Sequence, residues 1–318
     1  MNNNVLKFFF IGHIATDTVI KSGKVYEKSL GGSVCFCSKS LKEYVNDVEI
    51  SIISNFNNDS PQNVYLNQLK CDEIDTEGIC NINGSNTEFI LDYQDHSRKL
   101  TLKSKAPNLK INKLPRTYLT KSIDAIIFVP ICNEISYEFV AKMVEMYPNA
   151  LFGIDVQGFI REIDSHGNVS LIHEDKKMNT LYRIIDLIGE RLILKGSEEE
   201  MKVISNKRNY EEIMEYFKEF NGIYIMTLGE KGSTISKKGE KTIKIPAYKA
   251  RVVEDETGAG DVYFAIFLYE FLRSERQWND IKKAGYLASA AASFGVEKKG
   301  IFGFQPKEKV RKRFLKKW

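Results

Sequence analysis

The sequence predicts an α/β protein, a doubly wound and mainly parallel sheet flanked by helices, with a small β-sheet beside it. Three observations predict this. Short apolar runs alternate with amphipathic stretches along most of the chain, as βα units around a parallel sheet require. The 318 residues, 43% of them hydrophobic, are enough to fill one large core. Two segments break the rhythm with short strand-like runs, one of them alternating apolar and polar residues as a half-exposed strand does.

In chain order, "LKFFFIG" is the first buried strand, and "DTVIKSGKVYEKS" reads as two short strands after it. A helix is expected over Val34 to Tyr44, then the strand "VEISIIS" and a helix from Pro61 to Lys70. "TEFILDYQDHSRKLTLKS" places Phe89, Leu91 and Tyr93 on one face, turns at Gln94 to Arg98 and resumes with Leu100 and Leu102, a hairpin pattern. The strands "DAIIFVP", "ALFGID", "RLILKG" and "GIYIMTLG" follow, each closed by a turn former. Helices are expected over Ser136 to Tyr147, Met178 to Ile188, Tyr210 to Phe220, Ala259 to Arg273 and Trp278 to Ser293. No linker or repeat divides the chain, so residues 1–318 are expected to form one domain, with the segments near 18–30 and 86–104 forming a lid.

The five cysteines (Cys35, Cys37, Cys71, Cys80, Cys132) contain no C-x-x-C pair, which argues against a zinc cage or a disulfide framework and for a reducing cytoplasm. The four histidines (His13, His96, His166, His173) lack metal spacing and are read as structural. The first apolar run is too short for a secretory segment, and no stretch approaches the ~20 apolar residues of a membrane span. Net charge is +4, but Lys307 to Trp318 carry seven Lys/Arg against one Glu, which leaves −2 for the rest of the chain. Val310, Phe314 and Trp318 share one helical face in that tail. A terminal helix docked by this face is expected, rather than a nucleic-acid or membrane partner.

The most informative stretch is "EDETGAGDVYFAIFLYEFL", Glu254 to Leu272, where two glycines and an acid precede an apolar helix. A helix beginning near Ala259 presents the free N–H groups of Gly258, Ala259, Gly260 and Asp261, backed by the positive end of its dipole. Such a cradle suits a phosphoryl group. Asp261 in the first turn is placed to accept a proton from a substrate hydroxyl. Other phosphate motifs are absent: position 263 is tyrosine, so G-x-G-x-x-G fails, and no Walker loop or protein-kinase signature occurs.

"DETGAGD" resembles the C-terminal signature of the PfkB/ribokinase family of carbohydrate and nucleoside kinases. "LGGSVCFCSKSLKEY" is similar to that family's glycine-pair signature and "IGHIATD" to its first strand with a substrate-binding aspartate. "ILKGSEEE", "TLGEKGS" and "AASFGVEKKGI" resemble its nucleotide-side segments, in matching order from Gly12 to Gly300. The resemblance implies a ribokinase-like fold and a magnesium-dependent transfer of the γ-phosphoryl of ATP to a hydroxyl of a sugar or polyol. It implies Asp261 as the base and Gly258, Ala259 and Gly260 as the anion hole. It further assigns Asp17, Gly31 and Gly32 to the acceptor, and Lys195, Ser197, Glu200, Thr227, Gly229, Gly232 and Ser289 to the nucleotide side. Glu200 would serve Mg2+, directly or through water, although serine at 197 replaces the usual asparagine. "DVQGFIR" is similar to D-x-Q-G-x-x-R of a branch with myo-inositol and archaeal nucleoside kinases, which adds Gln157 and Arg161 to the acceptor side. A salt bridge from Arg161 to Asp155 is the structural alternative there.

Within this resemblance the acceptor is expected to be a sugar or myo-inositol. A nucleoside presenting its ribose 5'-hydroxyl is the alternative, with Phe89 or Tyr93 as a stacking surface. A catalytically silent polyol or nucleotide sensor is the reading from another class. The open sheet edges of the lid suggest a homodimer.

Overall fold

The computed structural model describes residues 5–21, 24–25, 28–60, 63–94, 97–172 and 175–316. His96, His173, Trp318, the start of the helix expected at Pro61, part of the hairpin turn, part of the segment near 18–30 and the Tyr93 side chain lie outside the described residues. The strands of the first half are β1 (Leu6–Ile11), β2 (Ala15–Lys21), β3 (Lys24–Val25), β4 (Ser29–Gly31), β5 (Val48–Phe56), β6 (Ile79–Asn81), β7 (Thr87–Gln94), β8 (Ser97–Ser104) and β9 (Ala125–Phe128). Those of the second half are β10 (Leu151–Asp155), β11 (Arg161–Ile163), β12 (Val169–Leu171), β13 (Leu192–Ser197), β14 (Ile223–Thr227), β15 (Ser233–Lys237) and β16 (Ile243–Ile245). The helices are α1 (Ser33–Tyr44), α2 (Val64–Cys71), α3 (Tyr137–Met146), α4 (Asp175–Ile188), α5 (Glu198–Ser205), α6 (Tyr210–Phe217), α7 (Ala259–Leu272), α8 (Trp278–Gly295) and α9 (Lys307–Leu315).

Among the described residues, nine strands form the main sheet in the order β16-β15-β14-β13-β10-β9-β1-β5-β6. The six apolar runs read from the sequence are its parallel centre, β1, β5, β9, β10, β13 and β14. β6 adds in parallel at one edge, and β15 and β16 add antiparallel at the other. The chain builds outward from β1 in one direction and then, through β9, in the other. This reversal puts the crevice at the carboxyl ends of the central strands, where ligands bind in open α/β sheets.

One face of the sheet packs on α1, α2, α7 and α8, the other on α3 to α6. α7 is apolar all round because it lies between layers, with eleven of its fourteen residues buried. Gly153 on β10 makes that approach feasible: a Cβ there would meet Leu268 at 2.9 Å and Phe264 at 3.1 Å. α9 docks as expected, with Val310 fully buried and Arg313 stacked 3.3 Å from the Phe294 ring centre while it pairs with Glu297 at 2.7 Å. Much of the tail's charge is therefore engaged within the chain.

The second, five-stranded sheet has the order β3-β2-β7-β8, with β4 pairing β2. β7 and β8 form the hairpin read from the sequence, and β7 runs parallel to β2. The turn of the β11–β12 hairpin reaches β8, where the Leu102 N–H donates to the Gly167 carbonyl at 2.8 Å. That hairpin was not legible in the sequence.

Candidate active site

Two of the helices that open onto the crevice lack a side-chain cap. α1 begins at Gly32 (φ 87°) and α7 at Gly258 (φ 78°), left-handed backbone that glycine adopts without strain. By contrast, α3, α5 and α6 are capped by Ser136, Ser197 and Asn209. Within α7 the first bond runs from the Val262 N–H to the Gly258 carbonyl at 2.9 Å, so the N–H groups of Gly260 and Asp261 precede the intrahelical ladder; the Ala259 N–H, expected to be free, is instead given to the Glu256 carbonyl at 3.2 Å by the turn that leads into the helix. The two dipoles point their positive ends into the same space.

That space is two adjoining clefts. One, of about 580 Å3, is lined by Asp17, Gln157, Arg161, Lys195 and Asp261 among others. The other, of about 620 Å3, is more apolar and includes Tyr248, Val253, Ala292 and Val296. They share Thr227, Gly229, Glu256 and Gly260. The head of α7 therefore stands at their junction.

Asp261 is buried there. Burial pushes its carboxyl up to about 7; Lys195 pulls the other way, Asp155 adds to the rise, and Ser33 and Arg161 favour the ionised form. Lys195 itself pairs with Asp155 at 2.6 Å, both side chains nearly inaccessible. Burial opposes the Lys195 charge, but Asp155 and Asp261 outweigh it and hold the ammonium firmly protonated. The register of β10 against β13 sets Asp155 directly beside Lys195. A Cβ on Gly260 would lie 2.9 Å from the Lys195 Nζ, so only the bare backbone of a glycine lets this cation stand so close to the head of α7.

The residues expected for the acceptor gather on one side. Asp17 lines the cleft, while Gly31 stands behind it: a Cβ on Gly31 would lie 2.2 Å from the Asp17 Oδ2. Gly31 makes room for the carboxylate instead of touching the cleft. The Arg161 Nη1 donates to the Ile131 carbonyl at 2.7 Å and its Nη2 to the Gln157 Oε1 at 2.8 Å. Phe89, Leu91, Leu100 and Leu171 form an apolar wall opposite these groups. Phe89 is itself buried, with Arg161 6.0 Å from its ring centre.

On the nucleotide side, Ser197 and Glu200 form a reciprocal capping box at the start of α5, with the Ser197 N–H donating to the Glu200 carboxylate at 2.7 Å. Both also line the polar cleft. Burial, and Asp155 next, raises the Glu200 pKa. Thr227 and Gly229 lie at the junction, and Gly232 (φ 94°) turns the chain where a Cβ would meet the Ile245 carbonyl at 2.0 Å. Ser289 lines the apolar cleft and donates to the Pro246 carbonyl at 2.9 Å. Ser33 was not singled out by sequence reasoning, although it follows the glycine pair directly; its Oγ accepts from the Gln157 Nε2 at 2.8 Å.

A buried polar knot joins the small sheet to the main one. Glu134 accepts backbone N–H groups from His13 (2.9 Å), Ile131 (3.0 Å) and Cys132 (2.8 Å). Burial pushes the His13 pKa down, so the ring is neutral; its Nε2 meets the Pro107 carbonyl and its Nδ1 the Thr87 hydroxyl, each at 2.9 Å. The His13, Cys132 and Glu134 side chains would suit a metal by distance, but these hydrogen bonds already occupy them.

A model of the family described as pfkB family carbohydrate kinase matches residues 160–307. The second half of the chain is thus similar to a pfkB family carbohydrate kinase. The nucleoside kinase of Methanocaldococcus jannaschii is 38% identical over 117 residues, 37% of this chain and 36% of that protein. Its crystal structure, described as an archaeal member of the ribokinase family, superposes with a TM-score of 0.72 at 22% identity over 98% of both chains. An inositol 3-kinase of Arabidopsis thaliana is 26% identical over 81% of this chain and 65% of its own length. A fructokinase of Vibrio cholerae, with fructose, ADP and calcium bound, superposes with a TM-score of 0.79 at 16% identity over 98% of this chain and 99% of the other. The fold is ribokinase-like. No helix among the described residues is long and apolar enough to cross a membrane.

Proposed function

We propose that the chain transfers the γ-phosphoryl of ATP to a hydroxyl of a small polyol, a sugar or myo-inositol foremost, with Asp261 as general base. The observation that carries this reading is the buried Asp261 carboxyl at the uncapped head of α7, at the junction of a polar and an apolar cleft. A proton affinity near neutrality suits a group that takes a hydroxyl proton as phosphorus–oxygen bond formation begins. Asp17 would accept hydrogen bonds from acceptor hydroxyls. The N–H groups of Gly258 and Gly260, with the Lys195 ammonium close by, would stabilise charge on the migrating phosphoryl group. The apolar cleft, with Ser289 on its wall, would take the nucleobase.

Glu200 offers a carboxylate oxygen at the cleft wall that suits Mg2+. Among the described residues the three-ligand cluster of suitable spacing lies at His13, Cys132 and Glu134, so magnesium here would be held largely by phosphate oxygens and water. When bound, the ion would neutralise phosphate charge. The small sheet would act as a lid that excludes water from the acceptor. A homodimer would pair through the β3 edge of that lid, since β8 already meets the β11–β12 turn. Five free cysteines suit a reducing cytoplasm.

The apolar wall of Phe89, Leu91, Leu100 and Leu171 favours a second reading, a nucleoside whose base lies on that wall and whose ribose meets Asp17. ADP release against inositols, pentoses, hexoses and nucleosides separates the two. In the preferred acceptor, Asp261→Asn is expected to lower turnover by about 10² or more; a loss below about tenfold would remove the base assignment.

A further inference from the structure

Lys195 lines the polar cleft with only 6% of its surface exposed. An ammonium carries three hydrogens, and among the described residues this one bonds a single side chain, that of Asp155, whose Oδ2 lies 2.6 Å from the Nζ. Two hydrogens are left for whatever enters the cleft, since a buried donor without a partner is costly. The Phe264 ring centre, 5.9 Å from the Nζ, and the backbone of Gly260 confine the cation to the head of α7, where the Gly260 N–H precedes the helical ladder. Asp155, the last residue of β10, is buried more deeply, at 2%. Its two oxygens serve different elements: Oδ2 holds Lys195 on β13, and Oδ1 accepts the Gln157 backbone N–H at 3.2 Å, at the start of the turn that leads to Arg161. The backbone fastens the same spot, with the Val156 N–H donating to the Lys195 carbonyl at 3.0 Å.

We propose that Asp155 is a positioning residue for phosphoryl transfer: it holds the Lys195 ammonium at the head of α7, so that the two remaining hydrogens meet an oxygen of the migrating phosphoryl group, and it ties that cation to the turn bearing Gln157 and Arg161. This role rests on the kinase reading of the site. A lysine head rides on a flexible four-carbon stem and has no fixed orientation of its own. Held in place, it stabilises developing charge without having to reorganise, which is where such electrostatic stabilisation gains its strength. Asp261 and Glu200 attract the same ammonium from further off, and the 2.6 Å contact with Asp155 decides where it rests. Stability alone does not account for the pair, because two apolar side chains of similar size would serve a buried wall as well or better. What they would lack is a fixed positive charge beside the anion cradle.

The test compares full-length wild type with Asp155→Asn, Lys195→Met and the double variant. Asparagine at 155 still accepts the Gln157 N–H but no longer attracts the ammonium. The first readout needs no acceptor: calorimetric affinities, with magnesium, for ADP and for the β,γ-methylene analogue of ATP. In Asp155→Asn the affinity for ADP should hold within about twofold, while that for the analogue falls about tenfold or more, the scale of one hydrogen bond to a charged group. The second readout is kcat on the acceptor that the panel identifies. It should fall by about 10² in each single variant with little change in the acceptor KM, and the double variant should be no slower than Lys195→Met, because Asp155 acts through that lysine. Melting temperature identifies a variant that has lost its fold, and the double variant, which leaves no charge unpaired, then stands in for it. An unchanged gap between the two nucleotides, or single losses that multiply in the double variant, would overturn the role of Asp155. Wild type that binds nucleotide but turns over no acceptor would remove the kinase reading while the nucleotide gap still decides Asp155; wild type that binds neither nucleotide would overturn both.

Discussion

Replacing Asp261 by asparagine should make the protein more stable, and increasingly so as pH rises. Burial, reinforced by Asp155 against the pull of Lys195, holds the Asp261 carboxyl at about 7 instead of 3.8. Between those two values the folded chain keeps a proton that the unfolded chain has released. The folded state therefore binds more protons, and stability falls as pH rises through this window. Each tenfold in proton affinity is worth about 1.4 kcal/mol, so ionisation of this group costs about 4 kcal/mol above pH 8 and about 1.5 kcal/mol at pH 5. Asparagine has nearly the same volume and no charge to bury. Its advantage should grow by about 2 to 3 kcal/mol from pH 5 to pH 8, or roughly 5 °C in melting temperature for a chain of this size. Urea denaturation of both nucleotide-free proteins at the two pH values measures this, since other titrating groups largely cancel in the difference. An unchanged gap between the proteins, or an asparagine variant that is weaker at pH 8, would refute the reasoning.

Two further substitutions probe the supports of the site. Gly258→Ala places a Cβ 2.4 Å from the Phe36 ring at a φ of 78°; strain and overpacking together should cost about 2 to 4 kcal/mol, visible as a lowered midpoint in urea with slower turnover. An unshifted midpoint would show that the α7 cap does not need glycine. Glu134→Gln should behave oppositely to Asp261→Asn with pH. Burial works to raise the Glu134 pKa, but His13 and the N–H groups of Cys132 and His13 bring it below its ordinary value, and with the ring neutral the N–H groups carry the effect. Its contribution to stability is present above the ordinary glutamate range and is lost as pH falls through the lowered value. The variant should lose about 2 to 4 kcal/mol at pH 7 and approach wild type in acid, checked by denaturation at both pH values.

The central strands and large helices were legible because each is an apolar run long enough to show its period, as in "LKFFFIG" or the head-to-tail apolar α7. β15 and β16 were not: "STISK" and "IKI" are short, polar and at an edge, and only pairing with β14 makes them strands. α5 was not among the expected helices: "SEEE" reads as a solvated helix start, and the capping box that fixes it appears only once the chain is folded. At the site, the glycines and Asp261 announced themselves by composition. Ser33 did not, since a serine after two glycines carries no signal until Gln157 is brought to it from 124 positions away. The Lys195–Asp155 pair depends on strand register, which sequence does not state.

The knot at His13, Thr87 and Glu134 has a mechanical consequence. The Ala106 N–H also binds the Thr87 hydroxyl, at 3.0 Å, so both the root of β7 and the exit from β8 are pinned at one spot. Any swing of the small sheet must then behave like a shutter fixed along one side, its far rim travelling while its base stays with the floor. Loosening that fastening, rather than any residue in the crevice, would free the base along with the rim.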